Sequence, residues 1–126
     1  MTIGLRSVIA PTRANGAIDL VTEEREVFIS VDVETAGPIP GEYSLLSIGA
    51  CHVDDPARIF ACELKPLNRN ADPKALEVSG LSLEKLDRSG LRPHEAMERF
   101  DAWLARCIGS GRHGQSSGRW LWSPPR

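Results

Sequence analysis

The stretch Val27-Phe28-Ile29-Ser30-Val31-Asp32-Val33-Glu34-Thr35-Ala36-Gly37 constrains this chain more than any other. It is an apolar strand pattern carrying two acids and ending at a glycine. Side chains alternate across a strand, so residues two apart share a face. Asp32 and Glu34 therefore project together, beside Phe28 and Ser30. Val27, Ile29, Val31 and Val33 project the other way, into an expected core. Phe28 makes both faces partly apolar, which predicts a central strand covered on both sides. Carboxylates on a hydrophobic strand are costly to bury without a partner. A divalent cation is the natural one, because hard cations take carboxylate oxygens.

The rest of the chain places this strand. A second strand is expected from about Ser44 to Val53 and a third from about Arg58 to Leu64, separated by the turn residues Asp54-Asp55-Pro56. Short connections make the three an antiparallel meander. Pro73 opens a short helix, expected over Lys74–Val78 and stopped by Ser79-Gly80. Ser82 caps a second short helix beginning LEKL. Pro93 starts a longer one, in which Met97, Phe100, Trp103, Leu104, Cys107 and Ile108 form a core-facing stripe.

Both ends differ in character. Residues 1–25 sustain no period and are expected to be a flexible extension. Residues 109–126 are rich in glycine, contain Arg112, Arg119 and Arg126, and hold no acid. They predict a disordered tail or one read from a shifted frame. Residues 1–108 carry 17 acids against 12 basic residues, a balance of −5, so the body is no basic nucleic-acid clamp. Cys51, Cys62 and Cys107 form no zinc pattern and are expected as free thiols in a reducing cytoplasm. No run approaches the length of a membrane span.

Asp-x-Glu-Thr-x-Gly at the end of a first hydrophobic strand resembles the first motif of the DEDD superfamily of 3′–5′ exonucleases, which includes proofreading subunits and ribonuclease T. The segments SLLSIGAC, CELKP and ALEVSGLSLEKL, followed by a Pro-initiated helix with a Trp-Leu pair, resemble the family in order and spacing across residues 26–108. The resemblance implies an α/β, ribonuclease H-like mixed sheet, here cut to its three-strand antiparallel meander plus helices. It implies hydrolysis of nucleic acid 3′ ends with two Mg²⁺ or Mn²⁺ ions about 3.5–4 Å apart. Asp32 matches the acid that bridges metals, Glu34 the ligand of the metal that activates water, and Thr35 a region that contacts the terminal nucleotide.

The same resemblance exposes departures. Ser79-Gly80 stands where many proofreading members have His-Gly. The family draws two further acids and a general base from later motifs, yet no Asp or Glu follows Asp101, and Gly118 stands five positions after His113. His52 and His94 read as strand and helix-start residues. The expectation is a truncated domain of weak or no activity, binding at most one cation weakly. The alternative is a non-catalytic remnant that binds nucleic acid or a partner protein. With no fourth strand beside it, the first strand would be an open edge and a route to self-association.

Overall fold

A computed structural model describes residues 2–8 and 24–109. Four strands form one antiparallel sheet in chain order: β1 (Thr2–Val8), β2 (Glu24–Thr35), β3 (Leu45–His52) and β4 (Ile59–Glu63). Three helices follow: α1 (Pro73–Ser79), α2 (Leu83–Ser89) and α3 (Pro93–Ile108). The architecture is α/β and compatible with a truncated ribonuclease H-like fold.

The meander and all three helices stand where the sequence placed them. Asp72 caps α1, its Oδ1 accepting the Lys74 N–H at 3.0 Å, and Pro73 occupies the first turn. Gly80 ends α1 in the left-handed region, at φ 68°. Ser82 caps α2 through the Lys85 N–H. The α3 stripe packs on one face of the sheet, except Met97, which was expected in it but is exposed. Trp103, Leu104, Cys107 and Ala96 meet Val27, Ile29, Val31, Ile48 and Ala50, with Phe60 and Phe100 closing an aromatic group around Trp103. A second cluster of Ala36, Leu46 and Leu86 fastens α1 and α2 beneath the far end of β2 and β3.

Three further expectations are corrected. Residues 1–25 were assigned no element, but Thr2–Val8 form β1, paired with Glu24–Ser30; residues 9–23 lie outside the described residues. The edge expected to be open is therefore closed along its first half, and the meander of three strands becomes a sheet of four. The basis is non-local. A Cβ on Gly4 would lie 3.3 Å from the Phe28 ring, so the glycine lets that ring lie across β1, an aromatic covering a cross-strand glycine. Phe28 is accordingly not buried beneath a second layer; it is 41% exposed, and β2 is covered by helices on one face only. Val33, expected in the core, is 45% exposed. Pairing with β1 stops at Ser30, so among the described residues no strand flanks Val33 on that side. The tail reading, over residues 109–126, falls almost wholly outside the described residues.

Candidate active site

Strand pairing brings the open face of the sheet into register. Asp32 lies opposite Gly49, which lies opposite Ala61; Glu34 lies opposite Ser47, which lies opposite Glu63. Directly opposed residues share a face. Asp32, Glu34 and Glu63 thus gather at one end of the uncovered face, with no bulky side chain between Asp32 and β4. They line a shallow hollow of about 650 Å³ that also touches Leu91 and Arg99. Asp32 is exposed and Glu34 half-buried. Neither carboxylate has a hydrogen-bond or ion-pair partner among the described residues. Other acids are matched: Asp87 bridges to Lys65 and Arg69, Asp55 to Arg58, and Glu95 to Arg99 at 2.8 Å.

The strand end is shaped by a slip in register. Glu34 pairs with Ser47 but Thr35 pairs with Leu45, so Leu46 is the extra residue of a bulge, fully buried in the second cluster. Bulges re-aim side chains and are frequent beside active sites. Thr35, the next residue after Glu34, points to the opposite face from the acids by strand alternation. Its Oγ1 donates to the Gly37 carbonyl at 2.9 Å, and it lines a second hollow with Gly37, Pro38 and Tyr43. The motif's glycine is sterically required: a Cβ on Gly37 would come within 2.5 Å of the Tyr43 ring. Tyr43 was not singled out in the sequence, since nothing local pairs it with Gly37. Backbone bonds then fix the turn, from Ala36 N–H to the Ser44 carbonyl at 2.9 Å and from Asp72 N–H to the Ala36 carbonyl at 2.7 Å.

Both described histidines are structural. His52 is buried on the helix-covered face, and its Nδ1 accepts the N–H groups of Asp54 and Asp55 at 3.2 and 3.1 Å, closing the β3–β4 turn. His94 is exposed in the first turn of α3, 3.6 Å from Glu98. His113 lies outside the described residues. Among the described residues, no group of three or more His, Cys, Asp or Glu is arranged to hold a metal. Two unpartnered carboxylates fit one hard cation with water completing its shell. They do not fit a pair of ions.

Over 85 residues the chain is 56% identical to the 3′–5′ DNA exonuclease Cap18 of Escherichia coli. The chain is thus similar to part of a protein named as a 3′–5′ exonuclease. The match takes in 68% of this chain and 46% of that protein, so the chain spans about half the length of its relative. No family model matches it. Among the described residues, no helix is long and apolar enough to cross a membrane.

Proposed function

We propose that this chain is part of a DEDD-type 3′–5′ exonuclease domain that offers Asp32 and Glu34 to a nucleic acid 3′ end. Asp32 and Glu34 would hold one Mg²⁺ or Mn²⁺, and such an ion, when bound, supplies charge stabilisation at a phosphodiester. The chain's own contribution is the open face: two carboxylates without basic partners among the described residues, on a strand end fixed by the bulge and by the Gly37–Tyr43 contact. Thr35, on the far side of the bulge, would touch the terminal nucleotide. The single observation that carries this reading is that pair of unpartnered carboxylates, in a relative of a protein named as an exonuclease. The three free thiols support a cytoplasmic location.

Among the described residues no group of three or more His, Cys, Asp or Glu is arranged to hold a metal, Glu63 beside the acids included, and no histidine lines the hollow. Hydrolysis by this chain alone is therefore expected to be weak or absent. The same fact favours a second reading, a non-catalytic module that binds nucleic acid or a partner protein. End-labelled single-stranded DNA, incubated with Mg²⁺ or Mn²⁺, separates the outcomes. The expected result is no shortening beyond that of Asp32→Ala. Robust metal-dependent shortening, lost in Asp32→Ala, would overturn the expectation of inactivity. Cation-dependent retention of the strand without shortening supports the binding module.

A further inference from the structure

β4 ends the sheet, and among the described residues no strand pairs with its outer side. Hydrogen-bond phase determines what that side offers. The His52 N–H donates to the Arg58 carbonyl at 3.0 Å, and the Leu64 N–H to the Leu46 carbonyl at 2.8 Å. Backbone groups alternate in direction along a strand. The even-numbered residues of β4 therefore bond to β3, and Ile59, Ala61 and Glu63 direct their groups outward. The Leu91 N–H fits the same phase, donating to the Glu63 carbonyl at 2.9 Å, while the Lys65 N–H donates to the Leu91 carbonyl at 2.7 Å. Leu91 thus closes one end of the edge. The outward N–H and carbonyl groups of Ile59 and Ala61 meet no partner among the described residues.

Exposed edges are usually blunted by a lysine, a proline or a bulge. Ile59-Phe60-Ala61-Cys62 carries none of these and pairs with β3 without a register shift; Ile59 is 67% exposed. The free groups are also symmetric, since Ile59 and Ala61 flank Phe60. A contact between identical surfaces needs such self-complementarity. With the Phe60 residues of two antiparallel copies opposed, Ile59 of each faces Ala61 of the other. Those pairs exchange four hydrogen bonds and use every free outward group of both residues. The opposed Phe60 residues occupy a non-hydrogen-bonded position, where side chains approach most closely, and extend the aromatic group formed with Phe100 and Trp103. The basic end of each strand, at Arg58, meets the acidic end of the other, at Glu63. A register shifted toward Glu63 runs into Leu91 instead.

We propose that β4 pairs edge to edge with β4 of a second copy of this chain, antiparallel about Phe60, forming one continuous eight-stranded sheet. The two-fold axis stands perpendicular to that sheet, so both open faces look the same way. Their Asp32 positions are separated by five strand spacings, about 24 Å. Two short edges make a small contact beside the roughly 1,600 Å² of a standard interface, so the dimer exchanges with monomer. It needs neither metal nor nucleic acid and stands apart from the exonuclease reading.

Sedimentation velocity of the full chain, over a range of concentrations, tests the association. The parent should shift from monomer to dimer as concentration rises. Ala61→Pro removes an N–H that β3 does not use, and Ile59→Glu sets a carboxylate diagonal to Glu63 of the second copy. Each should weaken the dimer several-fold with an unchanged far-ultraviolet dichroism spectrum. If Ala61→Pro unfolds the chain, Ile59→Glu, at an exposed position, decides. Oxidation tests the register. Phe60→Cys should give more disulfide-linked dimer than the parent, because opposed residues lie within disulfide reach. Ile59→Cys should not, since its two copies stand about 8 Å apart. A parent that stays monomeric up to its solubility limit overturns the proposal. So does a dimer that survives Ile59→Glu, or one cross-linked through Ile59→Cys and not through Phe60→Cys.

Discussion

The two faces of this sheet were built from one alternating sequence and met opposite fates. Val27, Ile29 and Val31 are sealed under α3, while Phe28, Asp32 and the partner positions Ile59 and Ala61 are left uncovered. On the sealed face polar groups are satisfied internally, as His52 is by the turn it holds. On the open face Asp32 and Glu34 stand without partners among the described residues. The contrast separates what stabilises the fold from what is available to a ligand: one face can be altered only at the expense of folding, the other only at the expense of binding.

The sharpest way to break this contrast is to make matched substitutions on both faces. Ile29→Ala removes a fully buried side chain and should cost about 2–5 kcal/mol in urea unfolding. Ile59→Ala, on the open face, should stay within about 0.5 kcal/mol. Similar losses at both positions would mean that the open face is covered in solution. Next in size is His52→Phe, which keeps the volume but leaves the Asp54 and Asp55 N–H groups without their acceptor. A loss of about 1–3 kcal/mol is expected in the same measurement. Asp32→Asn with Glu34→Gln should leave stability nearly unchanged, since neither acid has a partner among the described residues, yet remove Mn²⁺ binding in calorimetry. Unfolding of that variant would show the acids to be structural.

The smallest effect concerns the thiols of the sealed face. Burial pushes both Cys62 and Cys107 above the ordinary thiol value, against the lowering influence of Arg99 on Cys62 and of Arg58 and Arg106 on Cys107. The native state therefore holds these protons more tightly than the unfolded chain. Below about pH 8.5 both states are protonated and nothing is lost. As pH rises past that value the unfolded chain ionises first, so stability should fall slightly toward the raised native values. Replacing both cysteines with alanine should flatten this slope in pH-dependent unfolding, whatever the overall cost of the cavities.

Most of the fold was legible because its signals are local. Alternation marked β2 and β3, Pro73 and Pro93 opened α1 and α3, and Gly80 closed α1. Residues whose environment is set by distant chain were not legible. TIGLRSV shows no strand pattern of its own; it becomes β1 because the edge of β2 accepts it and Phe28 covers Gly4. Val33 follows the core-facing alternation but lies beyond the end of β1. Of the candidate site, the pairing of Asp32 with Glu34 followed from strand geometry alone. The bulge at Leu46 did not, because only the β3 register reveals it.

The order of the sheet has a kinetic consequence. Among the described residues, each of the four strands lies beside its neighbour in sequence, with no crossover between them. The β2–β3 and β3–β4 pairings close short connections, residues 36–44 and 53–58, so little chain entropy is lost before those contacts form; the β1–β2 pairing closes a longer one, residues 9–23. Assembly can proceed in the order of synthesis, each hairpin adding to the last, and α3 need only dock on a sheet already formed. A chain wired this way should refold in a fast phase limited by that docking rather than by a search for distant strands.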